Sequence, residues 1–227
     1  LTAAGVTLIA AGMLSYTGSA AGPAGSAAVS PQPSTVSNVP GASFRFPSLP
    51  PIDASPPPSV APPSADPNRV ATRIVIEALD IDLPVIRPRG DASTYPACDV
   101  AMYIQELSQP GNGAATYIYA HARDGMFGPI YERAILKRSG GPKSMVGMVV
   151  QVYTSDNYVH EYAISEVRLH QLDLDDAVAA TTEQLWLQTS EGPKGTPGKT
   201  QLLALPLIVL PADPVAAHPK ARPVACD

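Results

Sequence analysis

From Arg69 onward the chain is written in short β-branched and aromatic runs, each closed by glycine, proline, aspartate or asparagine. Runs of this kind read as strands, and their spacing points to a β-barrel or sandwich. Arg73 to Glu77 (R-I-V-I-E) reads as a strand, and Leu83 to Ile86 as another after the turn-like D-I-D. Thr116 to Ala120 (T-Y-I-Y-A) follows. Val146–Thr154 and Tyr158–Leu169 form a hairpin joined by Ser155-Asp156-Asn157. Gln184–Thr189 and Gln201–Leu210 complete the set, and Phe127–Lys137 and Asp173–Ala179 read as short helices.

The region before Arg69 has a different texture. Half of the 26 prolines fall between Pro23 and Pro67. Residues 22–68, rich in proline, serine and alanine, cannot bury enough apolar surface to offset the entropy of ordering, so they read as a disordered linker. Stiffened by proline, such a stalk reaches roughly 100 Å at full extension, at about 3 Å per residue. Residues 1–21 begin with Leu1 and carry no charge, the first charged side chain being Arg45. They read as the end of a signal sequence or membrane anchor whose basic start is missing, with a disordered alanine-rich tail as the alternative. An uncleaved anchor places the domain on the outer face of a membrane, single-pass; cleavage near the small-residue run at Gly18 makes it secreted. The expected organisation is therefore 1–21 truncated signal or anchor, 22–68 linker, 69–210 globular β-domain and 211–227 Pro/Ala-rich tail.

Net charge is -5, with no basic run, which argues against a nucleic-acid partner. The two cysteines, Cys98 and Cys226, form no CxxC pair, so a zinc site has no support, and no cofactor is expected. They fit a reducing compartment, or an oxidising one with a single bridge. Asp173, Asp175 and Asp176 match no calcium-loop spacing and read as a solvated acidic turn. His160 and His170, on the hairpin and its exit, read as structural.

Three places offer chemistry. The strand T-Y-I-Y-A delivers His121 to its end, ahead of the loop A-R-D-G. A histidine where a rigid strand meets a loop can act as general acid or base, although alone it is more often structural. The strand L-W-L-Q-T ends at Ser190, before a loop holding Gly192, Pro193, Gly195, Pro197 and Gly198. A hydroxyl there can be a nucleophile if a base lies close, whereas in isolation it is more often a turn serine. Lys199 then opens the strand K-T-Q-L-L-A-L.

Taken in order, these features resemble the sortase family. His121 in Y-I-Y-A-H-A-R is similar to the family's histidine and D-G-M-F-G-P-I to the segment after it. Val146–Thr154 and Tyr158–Tyr162 resemble its central hairpin, and W-L-Q-T-S sits where the family has T-L-x-T-C. The resemblance runs from about Thr72 to Leu207. It implies an all-β fold, a sortase-like closed β-barrel with one or two short helices, preceded by the disordered Pro-rich stalk. It also implies a reaction: a thiolate attacks the threonine carbonyl of a peptide sorting signal, forms a thioacyl intermediate and passes the acyl group to an amine acceptor. In that scheme His121 is the acid/base, Ser190 stands in place of the cysteine and Lys199 in place of the arginine.

Both departures weaken the chemistry. A thiol of pKa about 8.5 is partly ionised near neutral pH, while a serine hydroxyl needs an aligned base. Lysine keeps the charge of arginine and loses its planar fork. Cys98, in Y-P-A-C-D-V, is a displaced nucleophile, a small buried residue or a partner for Cys226. Three readings follow: a slow transpeptidase or hydrolase, a catalytically inactive module that binds peptide or cell-wall strands, or a structural exoplasmic domain.

Overall fold

The computed structural model describes residues 64–88 and 96–226; the expected segment 1–21 and most of the 22–68 linker lie outside the described residues. Alternating apolar side chains build the first hairpin. In β1 (Ala71–Ile76), Ala71, Ile74 and Ile76 point inward. In β2 (Ile81–Ile86), Ile81, Leu83 and Val85 do the same. A 3-10 turn over Glu77–Leu79 joins the two and ends at Asp80 with a left-handed φ of 53°.

β3 (Ala101–Tyr103) runs parallel to β2 and antiparallel to β4 (Ala115–Tyr119). After α1 (Gly128–Ala134) come the hairpin strands β5 (Val149–Thr154) and β6 (Tyr158–Gln171). The hairpin turn is made by Asn157 at φ 63°. Then follow α2 (Asp175–Val178), β7 (Gln184–Ser190), β8 (Lys199–Pro211) and α3 (Pro214–Ala217). The strands close into a barrel in the order β1-β2-β3-β4-β7-β8-β6-β5. No helix among the described residues is long and apolar enough to cross a membrane.

Every residue of β4 is buried. That follows from its place between two apolar clusters. Ile118 faces the barrel interior with Ile74, Val152, Leu187 and Leu202. Ala115, Tyr117 and Tyr119 face outward into a second cluster with Val100, Met102, Trp186 and Ala177 of α2. A strand covered on both faces reads as a continuous apolar run rather than an alternation. Each fully buried large side chain of this kind contributes about 1.5–3 kcal/mol of transfer free energy.

The strands expected from the sequence are present, with shifted ends. β8 begins two residues before the expected Gln201, because Lys199 pairs with Ser190. β5 begins three residues after Val146, because Gly147, at φ 88°, turns the chain so that its N–H meets the Ile164 carbonyl at 2.7 Å. The helix expected over Phe127–Lys137 stops at Ala134, and Lys137 lies in the left-handed region at φ 53°. That expected over Asp173–Ala179 is the single turn of α2. β3 lies in a stretch without strand signals.

Beyond β8 the chain returns to the barrel. Asp213 caps α3 through Oδ1, which accepts from the N–H groups of Val215 and Ala216 at 2.8 and 3.0 Å. Val224 then pairs with Cys98 through two backbone hydrogen bonds, of 2.9 and 3.3 Å. A disulfide joins Cys98 to Cys226 across 128 residues of sequence.

Candidate active site

Strand pairing brings the three sequence-predicted residues to one end of the barrel. β4 and β7 are parallel neighbours, with Tyr119 opposite Gln188. The pairing continues past the end of β4. The Ala120 N–H donates to the Gln188 carbonyl at 3.2 Å, and the Thr189 hydroxyl donates to the Ala120 carbonyl at 3.1 Å. His121 and Ser190 therefore leave adjacent strands at the same height. β8 runs back antiparallel to β7 and sets Lys199 opposite Ser190. All three side chains line a cleft of about 320 Å³, with Arg123, Tyr131 of α1, and Lys194 and Gly195 of the β7–β8 loop. A second cavity of about 120 Å³ adjoins it, and His121, Ser190 and Lys199 line that one too, together with Pro96 and Thr189.

The loop after His121 is held by its own backbone. The Phe127 N–H donates to the His121 carbonyl at 3.0 Å and the Gly128 N–H to the Arg123 carbonyl at 2.8 Å. A Cβ at Gly128 would lie 2.4 Å from that carbonyl oxygen, so the tight loop requires glycine here.

His121 is 5 % exposed. Its Nε2 lies 2.6 Å from the Pro96 carbonyl. A carbonyl only accepts, so Nε2 carries the proton. Burial holds the imidazole below the usual histidine range; the Pro96 carbonyl acts in the opposite sense, and the nearby Arg123 guanidinium lowers it further. Its basic nitrogen when neutral is therefore Nδ1. No hydrogen bond joins Ser190 Oγ to His121. Lys199 Nζ donates to the Thr196 carbonyl at 3.0 Å, tying the amine to its own loop.

Two further residues shape the site. Arg123, two positions after His121, adds a guanidinium to the cleft wall; the H-A-R step is its only signal in the sequence. Glu191 follows Ser190 directly and is almost fully buried. Its carboxylate accepts from the His170 N–H at 2.7 Å and the Thr200 hydroxyl at 3.0 Å, and lies 2.6 Å from His170 Nδ1. It bolts the ends of β6, β7 and β8 together beneath the loop. A Cβ at Gly198 would stand 2.7 Å from Glu191 Oε2, which is why glycine precedes Lys199. An acidic residue after T-S gave no such indication in the sequence.

Cys98 is oxidised to a disulfide with Cys226, so in this form it offers no thiolate for attack on substrate. The pair stands against the site: one atom each of Cys98, Cys226 and His121 lie within 4.8 Å of one another. This is the His/Cys cluster close enough for a metal ion among the described residues, and its two sulfurs are spent on each other. Asp176 is paired with Arg168, which also meets Glu166 at 2.9 Å, consistent with an acidic turn neutralised by arginine. His160 is buried, and neither ring nitrogen has a hydrogen-bond partner.

Comparison with known proteins gives a consistent result. The family model described as Sortase domain matches residues 74–204. No curated protein matches the chain. Among solved structures the chain is similar to sortase A of Listeria monocytogenes, at 17% identity and TM-score 0.49, covering 63% of this chain and 91% of that one. It is similar to sortase C of Streptococcus pneumoniae, at 15% identity and TM-score 0.48, covering 65% and 73%. It is also similar to a pilus-related sortase C of Group B Streptococcus, at 14% identity and TM-score 0.47, covering 61% and 68%.

Proposed function

This chain belongs to the sortase family, and on that premise we propose that its cleft handles peptide sorting signals of surface proteins by a weakened acyl transfer to an amine. The observation that carries this reading is the convergence of His121, Ser190 and Lys199 on one cleft at the shared end of β4, β7 and β8. Ser190 is the nucleophile in this reading. Its hydroxyl attacks the threonine carbonyl of the bound peptide, and His121 takes the hydroxyl proton and returns it to the leaving amine. Cations stabilise the oxyanion. Lys199 stands nearest in the strand pairing, and Arg123 supplies the planar fork that Lys199 lacks. In this reading the domain faces outside the cell, held by an N-terminal anchor or secreted where that segment is cleaved.

The weakening has a physical cause. Serine needs a base aligned with its proton, and Nε2 of His121 is already donating to Pro96. Productive alignment therefore requires Nδ1 to face the hydroxyl or the ring to turn. The same observation favours a second reading, a catalytically inactive module that binds sorting peptide in this cleft. A labelled sorting peptide separates the two. The first predicts slow release, with transfer to an added amine, that Ser190→Ala abolishes. Binding by fluorescence anisotropy with no release is the second reading. Release unchanged in Ser190→Ala removes the serine mechanism.

A further inference from the structure

The disulfide beside His121 is the strongest unassigned chemistry in the molecule. A His121 nitrogen lies within 4.8 Å of both sulfurs, which sets a titratable base beside a bond that thiols can open. The two sulfurs are unequally accessible. Cys98 is 6 % exposed, whereas Cys226 is half-buried, packed on the edge of the core two residues after the exposed Val224. Apart from the disulfide, the last residues are held at Cys98 by the Val224 bridge, a pair of backbone hydrogen bonds. His121 itself lines the cavity that Pro96 and Ser190 also line.

We propose that Cys98–Cys226 is a thiol-exchange site, opened by a dithiol reductant, and that opening leaves Cys98 as a reactive thiol paired with His121. The dithiol's thiolate attacks the more accessible Cys226 sulfur. The S–S bond breaks, and Cys98 departs as the thiolate. The second thiol of the reductant then displaces Cys226 and leaves as a cyclic disulfide. Two electrons pass from the dithiol to the protein disulfide. Of the two protons released, one goes to Cys226 and the other is shared between Cys98 sulfur and the His121 imidazole. A leaving thiol stabilised as thiolate departs faster, and His121 supplies that stabilisation when Nδ1 takes up one of the protons the dithiol releases. The outcome is a cysteine–histidine pair in a cleft whose own nucleophile position holds serine. It rests on the disulfide and His121 alone and stands whether or not Ser190 acts on peptides.

The test uses the whole chain and reads thiol reactivity rather than peptide turnover. Oxidised protein is treated with glutathione and then with dithiothreitol, without denaturant, and the cysteines are mapped by peptide mass spectrometry after iodoacetamide. The expected result is a glutathione mixed disulfide on Cys226 and full opening by dithiothreitol. Cys98 in the reduced protein should then alkylate at pH 6.5 about tenfold faster than in His121→Gln. A Cys226→Ser variant, in which Cys98 is reduced without any reductant, guards against a folding defect in His121→Gln. Its Cys98 alkylation should titrate with a midpoint below the ordinary thiol value of about 8.5. The proposal is overturned if the disulfide opens only in denaturant or if glutathione settles on Cys98. It is equally overturned if Cys98 in Cys226→Ser titrates at or above the ordinary value.

Discussion

At the residue scale, the proposed reaction has Ser190 as the attacking group, and a thiol in its place ionises near neutral pH where a hydroxyl does not. Ser190→Cys is therefore expected to raise peptide release by at least about tenfold and to trap a thioacyl adduct. Intact-mass spectrometry with peptide present reads the adduct, and its absence would count against an open, competent cleft. Away from the cleft, His160 makes a separate prediction. It is 1 % exposed, and burial pushes its pKa down to about 4. Glu183, 4.0 Å away, opposes that shift, Arg69 adds to it and Asp156 opposes it. The unfolded chain binds this proton with a pKa of about 6.5. The stabilising effect of a neutral His160 is thus fully present above that value and is lost as pH falls through about 4. The loss amounts to about 3 kcal/mol across that window. Denaturant titrations between pH 7 and pH 4 should show this slope, and His160→Gln should flatten it; an unchanged slope would place the acid sensitivity elsewhere.

At the scale of elements, buried polar groups fix where strands and loops meet. Arg69 is 1 % exposed and lies just before β1. Its Nε donates to Asp156 in the β5–β6 turn at 2.8 Å, and its other nitrogens reach the carbonyls of Ser64 and Pro110 at 2.9 and 3.2 Å. Gly111 closes over this group at φ 78°, and a Cβ there would stand 2.5 Å from the Arg69 guanidinium and 2.7 Å from His160. Gly111→Ala combines a disfavoured φ with a clash against a locked side chain. It is expected to cost about 2–4 kcal/mol, read as a lower denaturation midpoint at unchanged slope. The opposite corner depends on Glu191. Glu191→Gln keeps the shape and removes the charge from the contacts to His170 and Thr200. The expected loss is about 1–3 kcal/mol, together with weaker peptide binding, since the same carboxylate seats the β7–β8 loop that walls the cleft.

For the whole molecule, the disulfide closes 128 residues of chain, a loop that holds six of the eight barrel strands, β3 to β8. In the chain-entropy picture a loop of that size restricts the unfolded state by roughly 4–5 kcal/mol, and removing native disulfides generally costs about 2–5 kcal/mol. Cys226→Ser should therefore lower unfolding stability by about that amount while leaving the β-sheet circular-dichroism signature intact. The bond also stands within 4.8 Å of a His121 nitrogen, so its loss changes stability and the surroundings of His121 together.

The order of strands, the turn at Asn157 and the positions of His121, Ser190 and Lys199 at strand–loop boundaries were legible because they are local. A two-residue alternation, a glycine-bounded loop or a polar side chain after an apolar run can be read within a few neighbouring residues. Family resemblance added the barrel. What joined the three residues was the parallel pairing of β4 with β7, two segments separated by the whole β5–β6 hairpin, and no local pattern encodes that pairing. Three residues are enough for β3 only because β2 and β4 flank it. The pairing of Cys98 with Cys226, the buried role of Glu191 and the engagement of His121 by Pro96 depend on distances between parts of the chain far apart in sequence. Sequence by itself determined which groups are available and which strands carry them; the tertiary structure decided which of them meet, since closure of the barrel selects neighbours that the chain alone does not specify.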